Sequence, residues 1–210
     1  GYLKLGKLPD DGELEALQRR MDDIMLGTAP LDYDKIMMQL DSDTGDYGDM
    51  KPMTFGHKGS TLNYRKIEQL EFDPLFLAYM QQPIFREICA RTYGAHASIA
   101  CFRAMFMNKP SRQGTVLPWH QDGGEGWAID RDPLVTLWTA LDPATIANGC
   151  VQVIPGSHRL GLLSDQGHTI TADQVEQHCS EDKIVYCELE AGEVMILHNW
   201  LLHRSDVNNT

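Results

Sequence analysis

Apolar residues between Asp10 and Gly27 recur at Leu14, Leu17, Met21 and Ile24, the spacing of one face of a helix. Asp10 and Asp11 suit its N-terminus and Gly27 its stop. A second helical region, DPLFLAYMQQPIFREICARTYG, reads as two short helices broken near Gln82-Pro83. Asp73 serves as cap, Pro74 sits in the first turn and Gly94 closes the second helix. Between these regions, Leu40–Ser60 is rich in glycine, aspartate and proline without periodicity, and predicts a long irregular loop of the kind that often covers a site. After Gly94 the texture changes to short apolar runs bounded by turn residues, at 97–108, 115–120, 134–141, 150–154, 183–189 and 193–204, with one helix over Ala172–Cys179. Helices first and then strands without intervening helices predict an α+β chain built on an antiparallel sandwich or barrel.

Composition narrows the classes. At 210 residues the chain fits one domain with a substantial core, and 42% apolar with 23% charged residues is ordinary for a globular protein. A formal charge of −12 works against nucleic acid and anionic membrane, both of which attract basic surfaces. No apolar run reaches the ~18–20 residues that span a bilayer, and the polar, acidic opening GYLKLGKLPDDGELEAL carries no signal-peptide pattern. Five cysteines without a CxxC pair, several in apolar runs, suggest reduced thiols and a cytoplasmic setting.

The chemistry concentrates in PWHQDGGEGW. His120 and Asp122 lie two apart, which on an extended strand puts both side chains on one face and within reach of one ion. A third ligand must come from elsewhere, and EVMILHNWLLHRSDVNN offers His198 and His203. A later strand beside the first would complete two histidines and one carboxylate, the usual holder of non-haem Fe(II) in oxygenases. The remaining histidines, His57, His96, His158, His168 and His178, read as surface, turn or helix residues.

The ordered set AMFMNKP, PWHQDGG, LWTALDPATIANGCVQVIPGSHRLG and EAGEVMILHNWLLHRSDVNN resembles the phytanoyl-CoA dioxygenase family of Fe(II)/2-oxoglutarate oxygenases. The resemblance runs from Gly1 to Asn208 and is thin between residues 28 and 60. It implies a double-stranded β-helix (jelly roll) core at 95–210, flanked by a mainly helical segment with a lid loop at 1–94, together one oxygenase domain over 1–210. It implies Fe(II) held by His120, Asp122 and His203, with His198 the alternative ligand or a neighbour of the site. Lys66, Met105, Trp138 and Ser205 match positions that contact or line the 2-oxoglutarate pocket. The arginine with which the family binds the far carboxylate of 2-oxoglutarate falls past Thr210, so the chain is expected to be trimmed; Arg204 should point to the opposite face of its strand from His203.

The expected activity is O2-dependent hydroxylation of a small molecule, with 2-oxoglutarate converted to succinate and CO2. An intact Asp122 favours hydroxylation over halogenation, for which related enzymes carry a small residue there. Glu125, Trp127 and Asp130 after the ligands, with Asp43, Asp46 and Tyr47 in the earlier loop, would suit a polar or cationic substrate. The rival readings are a jelly-roll binding protein without turnover and a cupin-type metalloenzyme that does not use 2-oxoglutarate.

Overall fold

A computed structural model describes residues 1–112, 114–164 and 168–210. The chain runs through β1 (Tyr2–Lys7), α1 (Asp11–Leu26), β2 (Met37–Leu40), β3 (Thr54–Phe55), β4 (Tyr64–Glu68), α2 (Pro74–Met80), α3 (Pro83–Tyr93) and β5 (Met105–Met107). It continues through β6 (Leu117–Gln121), β7 (Val135–Thr139), β8 (Val151–Val153), β9 (His168–Thr169), α4 (Ala172–His178), β10 (Val185–Tyr186), β11 (Glu193–His198) and β12 (His203–Ser205). The fold is mixed α/β, and every strand pair among the described residues is antiparallel. It divides into two compact units, one of Gly1–Asp10 with Val116–Thr210 and one of Asp11–Thr115.

In the Asp11–Thr115 unit, the predicted helical stripe is what α1 buries: Leu14, Leu17, Met21 and Ile24 all leave solvent, each worth roughly 1.5–3 kcal/mol of apolar burial. Gly27 ends the helix at φ +80, and a β-carbon there would meet the His57 imidazole at 2.7 Å, so the stop is both conformational and steric. The helical break falls where expected. Asp73 caps α2 by accepting Leu75 N–H at 2.9 Å and Phe76 N–H at 3.3 Å, and Pro83 opens α3. Gly94 closes α3.

The same unit holds a four-stranded sheet in the order β3-β2-β4-β5. The segment before Gly94 therefore carries strands β2, β3 and β4 beside its helices. Strand β4 escaped the sequence pattern because YRKIE mixes charge with apolar residues, and β2 because MMQL is only four residues long. The sheet accommodates the charges by pairing them: Lys66 Nζ lies 2.6 Å from Glu68 Oε1. The stretch read as irregular loop contains β3 and a single helical turn at Tyr47–Asp49. Three of its acids are engaged within it, Asp43 with Lys51, Asp46 with Gly48 N–H at 2.8 Å and Asp49 with the Thr44 hydroxyl at 2.8 Å, while Asp41 accepts from Thr115.

In the other unit, β1-β11-β7 form one sheet and β10-β8-β12-β6-β9 a second. Ala140, Val153, Cys187, Leu189, Met195, Leu197 and Leu201 form one buried cluster, against which Trp138 packs. Trp119, Ile154, Cys179 and Leu202 form another. The second sheet sets β12 directly between β8 and β6.

Candidate metal centre

β6 and β12 are antiparallel neighbours with His203 opposite His120. Directly opposed residues of an antiparallel pair share a face with β-carbons ~5 Å apart, and the two imidazole rings stand 3.9 Å apart between centroids. Asp122 lies just past β6, and its N–H donates to Asn199 O at 2.8 Å, which continues the strand direction far enough to bring its carboxylate onto the same face. One donor atom from each of His120, Asp122 and His203 lies within 4.8 Å of the other two. His203 Nε2 and Asp122 Oδ2 are 3.8 Å apart, too far for a hydrogen bond between them.

The hydrogen bonds of the two rings say which nitrogens are offered. Nδ1 of His120 donates to Pro118 O at 2.8 Å, and Nδ1 of His203 donates to Leu201 O at 2.8 Å. A carbonyl only accepts, so the proton of each neutral ring sits on Nδ1 and the lone pair on Nε2. Burial holds His120 well below the ordinary histidine range, and the positive charge that His203 or His168 would carry when protonated pushes in the same direction. His120 is thus a neutral imidazole. Two imidazole Nε2 atoms and a carboxylate on one face, each ring oriented by a main-chain carbonyl, fit a divalent iron ion.

The other expected residues are distributed as follows. His198 does not join the triad: its Nδ1 accepts the Trp200 N–H at 3.0 Å and its ring packs 4.9 Å from that of His158. Arg204 points away from the ligands, as strand alternation requires, with Nε donating to Gln152 Oε1 at 2.9 Å and its guanidinium 5.0 Å above the Trp119 ring. Ser205 is buried two residues from His203 on the same strand. Trp138 lies on β7 opposite Met195 and packs on the core. Lys66 and Met105 belong to the Asp11–Thr115 unit, on β4 and β5, where Lys66 is ion-paired with Glu68 and Met105 is exposed.

The glycine stretch after Asp122 is anchored. The Asp132 carboxylate accepts Gly124 N–H at 3.0 Å and the Trp200 indole N–H at 3.1 Å. A histidine read as a surface or turn residue also stands beside the site: the His168 ring lies 5.1 Å from that of His120. Nothing in the sequence around it marks this, because its placement follows from a left-handed backbone at φ +73 rather than from a side-chain pattern.

The profile of the phytanoyl-CoA dioxygenase (PhyH) family matches residues 1–210. A phytanoyl-CoA dioxygenase of Arabidopsis thaliana is 26% identical over 99% of this chain and 80% of its own length. A probable phytanoyl-CoA dioxygenase of Caenorhabditis elegans is 26% identical over 69% of this chain, and the match spans 50% of that protein. Among solved structures, EctD from S. alaskensis, crystallised with 2-oxoglutarate and 5-hydroxyectoine, superposes with a TM-score of 0.74 at 19% identity, over 100% of this chain and 67% of that one. At that identity the likeness is one of fold, while the sequence match extends over the whole chain and includes the segment that carries His120, Asp122 and His203. The chain belongs to the phytanoyl-CoA dioxygenase family of Fe(II)- and 2-oxoglutarate-dependent oxygenases.

Proposed function

We propose that this chain is a single oxygenase domain that hydroxylates a small molecule, using Fe(II), O2 and 2-oxoglutarate and releasing succinate and CO2. The observation that carries the reading is the cluster of His120, Asp122 and His203, with both Nδ1 atoms tied to carbonyls and both Nε2 atoms left for a metal. The two sheets of the unit that holds this cluster support a jelly-roll core. Five unpaired cysteines support a reducing, cytoplasmic setting.

Bound iron would supply the activation of O2 coupled to oxidation of 2-oxoglutarate. The protein's part is positional. Pro118 O and Leu201 O orient the two rings, and burial keeps His120 neutral so that no proton must be displaced before it binds. Asp122 brings the negative charge that a divalent ion needs. Ser205, on the same face of β12 as His203, would offer a hydroxyl to the cosubstrate. The Asp132 clamp on Gly124 and Trp200 holds the chain immediately after Asp122. That a relative in fold was crystallised with 2-oxoglutarate and a hydroxylated small molecule supports a small metabolite as substrate.

The test is succinate formation from 2-oxoglutarate with Fe(II) under air, with and without candidate substrates. The wild-type protein should turn over, while Asp122→Ala and His203→Ala should lose the iron-dependent signal. Turnover in either variant at the wild-type rate would sink the assignment.

A further inference from the structure

We infer that His168 is a positioning residue of the metal centre, held in a left-handed backbone conformation so that its imidazole braces the ring of His120. The inference rests on the metal-site reading above.

The register of β9 against β6 sets Gln121 opposite His168 and His120 opposite Thr169. Ordinary strand alternation would therefore place the His168 side chain on the face of Gln121, away from the ligands. That face is fully occupied. Gln121 is completely buried, its amide donating to Gly161 O at 2.9 Å and Trp200 O at 2.7 Å and its carbonyl accepting Leu163 N–H at 2.7 Å. His168 instead adopts φ +73, and its ring stands edge-on to that of His120, 5.1 Å away with the planes at 62°.

A residue with a β-carbon adopts this conformation at a cost that the surroundings must offset, and such strain gathers at functional sites. Burial does not account for it here, because His168 is exposed. The ring contact with His120 is what this conformation makes possible. The His120 ring, on the strand between β12 and β9, then has the His203 ring at 3.9 Å and the His168 ring at 5.1 Å between centroids, while its Nδ1 is tethered to Pro118 O. Three restraints fix the plane of the ring and hence the direction of Nε2. Groups behind a ligating histidine that orient it commonly govern metal affinity as strongly as the ligand's own environment.

The experiment uses Co(II) as an air-stable probe of the iron site, titrated into metal-free protein and followed by its ligand-field absorption, beside thermal melts of the metal-free forms. The variants are His168→Ala, His168→Gly and His168→Phe, with His120→Ala as control. His168→Ala and His168→Gly should weaken Co(II) binding about tenfold and alter the absorption band, while His168→Phe, which keeps a ring edge against His120, should recover most of both. His168→Gly, released from the conformational cost, should melt no lower than wild type, which separates a weakened site from a weakened fold. Wild-type affinity and spectrum in His168→Ala and His168→Gly overturn the inference, as does failure of His168→Phe to recover binding or a marked drop in the His168→Gly melting temperature. Should wild type bind Co(II) no better than His120→Ala, the metal-site reading itself fails.

Discussion

One hydrogen bond per ring decides what His120 and His203 can do: with Nδ1 spent on a carbonyl, each offers only Nε2. Gly123 shows a similar economy of means. It sits at φ +138, and a β-carbon there would run into the Asp132 carboxylate that holds Gly124 and Trp200. Gly123→Ala should cost about 2 kcal/mol, from backbone strain and the displaced clamp together. Urea denaturation of the metal-free protein reads this directly, and an unchanged midpoint would mean that Asp132 gives way freely. At this scale the proximal pair was legible, since the two-residue period of a strand puts His120 and Asp122 on one face wherever the strand goes. His168 was not legible, because its place beside His120 depends on a single dihedral angle that no neighbouring residue type announces.

Elements defined by punctuation were read closely. Asp11–Leu26 falls within the predicted first helix, and the Pro74 and Pro83 starts of α2 and α3 follow from the fixed φ of proline. Asp73 ties two of these helices together. Fully buried, it caps α2 and receives Arg20 Nη1 of α1 at 2.6 Å. Asp73→Ala should therefore destabilise by about 3 kcal/mol, losing the cap and leaving the guanidinium without its carboxylate. Asp73→Asn, which can still cap, should lose less; equal losses in the two variants would assign the whole effect to the ion pair. Strand β4 was missed because it is not an apolar run, and β2 and β9 because four and two residues are too short to show a period. β4 carries Arg65, Lys66 and Glu68, and it is a strand because β2 and β5 supply its ladder on both sides. An expectation built on apolar periodicity finds strands that bury one face cleanly and passes over those that satisfy charges by pairing them.

For the molecule as a whole, burial sorts the thiols. Cys150, Cys179 and Cys187 are buried, and burial pushes each up to about 11, whereas Cys101, though partial burial raises it too, is exposed. A thiol with that pKa is only about one part in a thousand thiolate at pH 8, so iodoacetamide should modify Cys101 in the native protein and spare these three until denaturant is added. Mass spectrometry of the labelled protein checks it; prompt native labelling of Cys187 would show that its region opens readily. No helix among the described residues is long and apolar enough to cross a membrane, in line with the absence of such a run in the sequence. The sequence by itself determined the amphipathic first helix, its glycine and proline boundaries, the acidic charge and the shared face of His120 and Asp122. Each of these is set by backbone geometry or composition over a few residues. Only the tertiary structure decided that His203 rather than His198 faces His120, that Lys66 spends its charge on Glu68, and that His168 reaches the ligand face. Those outcomes depend on which strand lies beside which and in what register. Hydrogen-bond ladders between distant segments settle that, and no local spacing encodes it.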